Sequence, residues 1–405
     1  MIGEAFKSPD DTLVVYTPAV PESHTELTYF RAHGFEVMKR ARVLGEITKS
    51  SRGLCVAGTH GKTTTSSMLA HLLKQSPVDC NAFLGGILKN YESNLMLSDT
   101  SDFTVIEADE FDRSFHWLTP YMAVITSADP DHLDIYGTAE AYRESFEKFT
   151  SLIRPDGCLL IKKGINVTPR LQEGVKKYTY SVTEIADFYA ENIRICDGNI
   201  TFDFVGPEIR IPDVELGVPV KVNIENGVAA MAIAWLNGVK PEDLKKGMAT
   251  FAGPRRRFDF HLKTDQVVLI DDYAHHPTEI KVTLKAARQT QPKRLIVVFQ
   301  PHRYTRTQLL LDEFAVAFKE ADELIVTDIY AASEDPIPGI SGKMLAETIQ
   351  RTTGQDVSYM SGFESIKNYL VDHAAAGDLV MTIGAGSINQ LGASLVEALE
   401  GSHKA

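Results

Sequence analysis

Short runs of β-branched and other apolar residues alternate with amphipathic segments along most of this chain, and no other feature restricts the fold as strongly. Runs at 13–16, 54–57, 103–107, 123–126 and 158–161 read as strands, as do those at 267–271, 295–299, 323–327 and 379–383. Several are apolar at nearly every position, the pattern of strands covered on both faces of a parallel sheet. Between them, Met68, Leu69, Leu72 and Leu73 recur at helical spacing, and 226–236 reads as a buried, Ala-rich helix. Such alternation predicts an α/β fold with mostly parallel sheets. From 178 to 221 the pattern changes to short alternating runs broken by Asp-Gly and Gly-Pro. This predicts antiparallel strands inserted in, or appended to, the first α/β unit.

At roughly 150 residues per domain, 405 residues suggest two to three domains. Ala252-Gly253-Pro254 reads as a linker, and a weaker boundary falls at 49–53, so the expected domains are 1–48, 49–254 and 255–405. Lys and Arg number 41 against 54 Asp and Glu, a net charge of −13, which argues against a nucleic-acid backbone as partner. The longest uncharged apolar run, 227–236, is far short of the roughly 18 residues of a membrane span. The first residues have no basic-then-apolar leader pattern, and Cys55, Cys80, Cys158 and Cys196 form no CxxC pair. The expectation is a soluble, cytoplasmic, multidomain protein that uses neither nucleic acid nor membrane.

The strongest local signal is the segment 54–65, a strand, a Gly-containing turn, Lys62-Thr63 and then a helix. Backbone N–H groups of such a turn curl around phosphate oxygens, and the helix N-terminus adds its positive end. Lys62 would contact the β- and γ-phosphates, and the Thr63 hydroxyl would hold magnesium. The strict GxxxxGK[ST] pattern fails, since Val56 stands five before Gly61; Gly58-x-x-Gly61-Lys62-Thr63 is a shorter form.

Two acidic strand ends could complete a metal site. The strand at 103–107 ends in Glu107, Asp109 and Glu110, with Glu107 and Asp109 on one face by strand alternation. The strand at 123–126 leads to Asp129, Asp131, His132 and Asp134, where a neutral imidazole could ligate a cation. Arg255, Arg256 and Arg257 directly follow the linker, either as a solvated patch or as hinge arginines able to swing onto a triphosphate. Further loops follow the strands at 267–271 and 295–299. A helix starting near Pro301 would set Arg303 and Arg306 side by side as a carboxylate clamp.

These segments together resemble the Mur ligase family. GTHGKTTT (58–65), EADEFD (107–112), DPDHLD (129–134), RRFD (256–259), DDYAHHPTE (271–279) and FQPHRYTR (299–306) occur in family order, and the likeness spans 13–390. The pattern is most similar to the branch that joins L-alanine to UDP-N-acetylmuramate. The murein tripeptide recycling branch shares much of it, but here EADEFDRSF passes straight into WLTPYMAVIT without that branch's insertion. The resemblance implies a central P-loop-type ATPase domain and a C-terminal Rossmann-like α/β domain that binds the amino acid. It also implies a carboxylate activated by ATP and Mg²⁺ as an acyl phosphate, which the amine of alanine then attacks.

Site residues follow from the same resemblance. Gly58, Thr59, His60, Gly61, Lys62, Thr63 and Thr64 would cradle the phosphates, and Thr63, Glu107 and His132 would serve the metal. Asn223 and Asn226 match adenine-contacting asparagines, and Arg256 and Arg257 match hinge arginines. Tyr273, His275, His302, Arg303 and Arg306 match the region holding the amino acid and the reacting carboxylate. Lys62, Glu107, His132, Arg256 and His275 form the expected catalytic set. Val222 and Ser127 stand where the family has His and Asn, and Lys148 is out of register with the family's carbamylated lysine. Residues 1–48 resemble the last strand and helix of the family's first, UDP-binding Rossmann-like domain. No GxGxxG precedes Gly58, which predicts weakened binding of the UDP-sugar. The alternatives are a recycling or folylpolyglutamate-type ligase, or a nucleotide-binding fragment without ligase turnover.

Overall fold

The computed structural model describes residues 9–17, 20–131, 133–196 and 198–402. The chain divides into two compact units, one holding residues up to 219 and 223–252, the other 220–222 and everything from 253.

The first unit opens with β1 (Leu13–Tyr16), α1 (Thr25–Ala32) and β2 (Glu36–Lys39), a β–α–β turn whose two strands pair in parallel. Helix α2 (Arg40–Ser50) leads into β3 (Arg52–Ala57), α3 (Lys62–Lys74), β4 (Asn81–Leu88), β5 (Ser93–Met96) and β6 (Phe103–Glu107). Then follow β7 (Met122–Ile125), α4 (Leu133–Tyr136), α5 (Ala139–Thr150), β8 (Cys158–Lys162) and β9 (Lys176–Ser181). The unit closes with β10 (Phe188–Cys196), β11 (Asn199–Gly206), β12 (Ile209–Glu215), α6 (Val222–Leu236) and α7 (Pro241–Thr250).

Among the described residues one sheet runs β12-β11-β10-β9-β8-β7-β3-β6-β4-β5. Its centre is parallel, and β3, β6 and β7 are apolar along their length because helices cover both faces. The antiparallel reading of 178–221 holds for β10, β11 and β12, which extend one edge of this sheet. It fails for β9, which is parallel to both β8 and β10. Alternating exposure along a strand reports which face is wet, not which way its neighbour runs.

Helix α5 is started by Thr138, whose side chain accepts the Ala141 N–H. It lays Tyr142, Phe146 and Phe149 against the sheet, with Phe149 stacked on Phe115 at 4.8 Å. Each such buried ring contributes about 2–3 kcal/mol relative to exposure, so this aromatic layer fixes α5 beneath the loops that follow β3 and β6.

The second unit contains β13 (Asp259–Lys263), β14 (Val267–Asp272), α8 (Pro277–Gln289), β15 (Arg294–Phe299), α9 (Tyr304–Leu309) and α10 (Leu311–Ala315). It continues with β16 (Glu323–Val326), α11 (Gly342–Thr353), β17 (Val357–Tyr359), α12 (Phe363–His373), β18 (Asp378–Ile383) and α13 (Asn389–Ser402). The sheet order is β13-β14-β18-β15-β16-β17, parallel except for β13. β18, the last strand, inserts between β14 and β15, so the loops leaving β14, β15 and β18 open on the same edge. That edge, beyond the carboxyl ends and at a reversal of strand order, is where open α/β sheets bind ligands.

Candidate active site

In the first unit β3 lies between β6 and β7, with Val56 beside Glu107 and Ala57 beside Ile125. The turn 58–61 therefore emerges between two other strand ends. Gly58 takes a φ of 139°, and a Cβ there would stand 2.0 Å from Thr126 Oγ1, so only glycine fits. The turn is held from β7 and the segment beyond it. Ser127 Oγ accepts the His60 N–H at 2.8 Å, and the Thr59 hydroxyl donates to the Asp129 carbonyl at 2.7 Å. Ser127 thus grips the loop although the family pattern has Asn there.

The first turn of α3 carries Lys62, Thr63 and a half-buried Thr64. Lys62 Nζ donates to the Gly58 carbonyl at 2.7 Å and to Glu110 Oε1 at 2.9 Å, and lies 2.8 Å from Glu110 Oε2. Burial opposes the charge on Lys62, but Glu110, Asp109 and Glu107 outweigh it and hold the ammonium's pKa above its ordinary value. Burial pushes the Glu110 carboxyl upward, against the pull of Lys62. Thr63 donates to Glu107 Oε1 at 3.0 Å, and Gly85 N–H donates to Oε2 at 3.0 Å. A Cβ on Gly85 would stand 2.3 Å from that oxygen, so glycine is what lets the carboxylate approach.

Asp109 does not join Glu107. β6 ends at Glu107, and the Asp109 carboxylate accepts the Phe111 N–H at 3.1 Å, opening a turn in which Asp112 and Arg113 both have positive φ. The carboxylate that enters the loop is Glu110. The three acids look equivalent in sequence; the signal was in the EADE motif, but only the turn tells them apart. His132 lies outside the described residues. No group of three His, Cys, Asp or Glu side chains among the described residues is arranged to hold a metal ion. The Thr63 hydroxyl and Glu107 carboxylate are nonetheless hard oxygen donors of the kind that, with phosphate oxygens, suit Mg²⁺. Asn226, buried at the start of α6, accepts the Thr65 hydroxyl at 3.2 Å and donates to Asn223 Oδ1 at 3.1 Å. Both asparagines are thereby tied to the phosphate-loop helix.

In the second unit the expected swinging arginine is tied down. Arg256 Nε donates to buried Asp271 at 3.1 Å, and its other nitrogens donate to the carbonyls of Gly384 and Gly386. Its guanidinium joins the end of β14 to the loop that leaves β18 at the carboxyl edge of the sheet. Both Arg256 and Arg257 lie over the Tyr273 ring, at 5.1 and 5.2 Å.

The clamp also differs from expectation. Helix α9 begins at Tyr304, and Arg303 precedes it with a φ of 71° and an exposed side chain. Arg306 instead donates to His302 Nδ1 at 3.1 Å, while His302 stacks on Tyr330 and meets the His275 ring edge-on at 5.8 Å. A guanidinium can only donate, so His302 Nδ1 is the acceptor and its proton sits on Nε2. His275 Nδ1 lies 3.0 Å from the Tyr273 carbonyl, so it is protonated there and its Nε2 carries the lone pair. Burial, with Arg306, His275 and Arg303 adding to it, pushes His302 down to about 4. Burial also lowers His275, with Glu279 opposing. The two rings are neutral, one presenting a donor and the other an acceptor.

Fold and site define a phosphate-loop α/β nucleotide-binding unit joined to a Rossmann-type α/β unit bearing an Arg–His cluster. The Mur ligase middle domain matches residues 56–234, and the Mur ligase glutamate ligase domain matches 256–386. The chain is 80% identical over 394 residues to the UDP-N-acetylmuramate–L-alanine ligase of Parabacteroides distasonis, covering 96% of this chain and 84% of that one. It is 56% identical to the ligase of the same name from Phocaeicola vulgatus, with the same coverage. The crystal structure of the UDP-N-acetylmuramate–alanine ligase of Thermotoga maritima superposes with a TM-score of 0.80 at 26% identity, covering 98% of this chain and 87% of that one. This chain belongs to the Mur ligase family.

Proposed function

We propose that the chain joins L-alanine to UDP-N-acetylmuramate at the expense of ATP, through an acyl phosphate, as a step in peptidoglycan precursor synthesis in the cytoplasm. The observation that carries this reading is the 80% identity over 96% of the chain to a ligase of that name. Residues 49–254 are assigned to ATP, 255–405 to the amino acid, and 1–48 to the UDP side of the acceptor.

Loop N–H groups between Gly58 and Lys62 other than that of His60, which Ser127 holds, and those of the first turn of α3 receive the phosphates, and Lys62 neutralises the β- and γ-oxygens. Thr63 and Glu107, with His132, would hold Mg²⁺. When bound, the ion spreads the charge developing on the transferred phosphoryl group. Asn223 and Asn226 contact adenine. A lactyl carboxylate oxygen attacks the γ-phosphorus, and ADP leaves.

In the second unit Arg306, with Arg303 and Tyr273, holds the carboxylate of alanine. His275 Nε2 takes a proton from its ammonium, and His302 Nε2–H orients it. The free amine attacks the acyl carbon, the carbon–oxygen bond to phosphate breaks, and phosphate leaves with one former carboxylate oxygen.

The test is ADP release by purified protein offered UDP-N-acetylmuramate, ATP, Mg²⁺ and single amino acids. L-alanine should support it. ADP release only with a murein tripeptide, or only with a folate, contradicts the reading.

A further inference from the structure

We propose that Glu110 is a positioning residue for phosphoryl transfer, a fixed anionic post that keeps hold of the Lys62 ammonium both before and after the triphosphate arrives. This rests on the ATP-ligase reading above.

Lys62 is folded back on its own loop. Its ammonium is spent on the Gly58 carbonyl at 2.7 Å, the Thr59 carbonyl at 3.5 Å and the Glu110 carboxylate. Turning toward phosphate oxygens requires some of these to be released. The two carbonyl contacts are neutral and cheap to give up, because one charge-assisted bond replaces another kind of acceptor. Glu110 is a different matter. It is 1% exposed, and no donor other than Lys62 among the described residues reaches its Oε2. If Lys62 left, a buried carboxylate would stand uncompensated, the most destabilising outcome of breaking such a pair. The ammonium therefore pivots about Glu110 and exchanges carbonyls for phosphate.

Glu110 itself is not free to follow. Its carbonyl accepts the Tyr136 hydroxyl, and the Tyr142 hydroxyl lies 3.4 Å from Oε1. Tyr142 is fully buried on α5, and its hydroxyl also meets Thr59 Oγ1 at 2.8 Å. The chain Thr59–Tyr142–Glu110–Lys62 closes back on the phosphate loop, so loop shape and ammonium position are set together. The residues after Glu110 enter the positive-φ turn at Asp112 and Arg113, which fixes where the carboxylate points.

A double-mutant cycle tests this, with Lys62→Ala, Glu110→Gln and the pair, assayed with UDP-N-acetylmuramate, L-alanine and MgATP. Glu110→Gln should lower kcat about tenfold to a hundredfold while the directly measured Kd for MgATP changes less than about threefold, since the contact serves the transition state. In the Lys62→Ala background Glu110→Gln should lower kcat no further, and it should raise Tm above that of Lys62→Ala alone by removing the orphaned charge. Additive losses of kcat, wild-type kcat in folded Glu110→Gln, or a pair less stable than Lys62→Ala would overturn the proposal. Should Glu110→Gln not fold, Glu110→Asp takes its place, with the same split between kcat and Kd expected. If the wild-type protein does not turn over these substrates, the ligase reading fails. The Tm arm still decides whether Glu110 is Lys62's counter-charge.

Discussion

Thr63 donates its hydroxyl to Glu107 across 3.0 Å, joining the first turn of α3 to the end of the neighbouring strand β6. On the proposed function these two oxygens would be ligands of a phosphate-bound cation, so Glu107→Gln should remove one anionic ligand. The Mg²⁺ concentration giving half-maximal rate should rise about 10- to 100-fold, and Thr63→Ala should raise it less. Titrating Mg²⁺ at saturating ATP checks this; an unchanged midpoint in Glu107→Gln would remove the residue from the metal site.

Arg306 and Arg303 part company in the structure, one bonded to His302 and the other exposed ahead of α9. Arg306→Ala should therefore raise the KM for L-alanine about tenfold to a few hundredfold, the cost of leaving a bound carboxylate unpaired. Arg303→Ala should do so less. ATP affinity, measured by direct titration, should not change in either variant. Parallel loss of ATP binding would place these arginines elsewhere.

The same pair of residues sets a pH dependence. Arg306 is one of the charges that keep the His302 imidazole neutral down to about 4. Removing that positive charge makes the imidazolium easier to form, so the His302 pKa moves up toward its ordinary value. The acid limb of kcat/KM for alanine should lie at higher pH in Arg306→Ala than in wild type. A limb that stays in place, or moves to lower pH, contradicts the assignment.

His71 makes a stability prediction apart from the chemistry. It is buried on α3 between the Tyr91 and Thr250 hydroxyls, each at 3.0 Å, and burial pushes its pKa down to about 4 from 6.5. The folded state thus binds fewer protons than the unfolded chain between those values. Stability from this group is complete above about pH 6.5 and is lost as pH falls toward 4, by about 3 kcal/mol in all. His71→Asn should flatten the fall of unfolding free energy over that window in denaturant titrations. The wild-type slope persisting in the variant would show that other groups carry it.

Much of this was legible in the chain. The buried strands β3, β6, β7, β14, β15 and β18 are apolar on both faces, and that shows without a structure. β4 was not legible, because Gly85 and Gly86 interrupt its apolar pattern. Gly85 serves to admit the Glu107 carboxylate. β17 is three residues long and leaves no periodic trace. Lys62, Thr63 and Glu107 could be named because each stands at a strand end or helix start that the pattern locates. Glu110 could not be told from Asp109, since the choice depends on a left-handed turn after it and on two tyrosines from α4 and α5. Arg256 looked mobile beside a linker, and only its contacts to Asp271, Gly384 and Gly386 show it committed within its own unit.

In the proposed reaction a carboxylate of UDP-N-acetylmuramate is activated by phosphorylation before alanine attacks. The most direct measurement uses substrate whose lactyl carboxylate carries heavy oxygen, with ATP, Mg²⁺ and L-alanine, and follows the label by mass spectrometry. One labelled oxygen should appear in inorganic phosphate for each alanyl product formed, because phosphate departs with a former carboxylate oxygen. Product formed with unlabelled phosphate would contradict an acyl phosphate, and ADP released without any alanyl product would contradict the ligase itself.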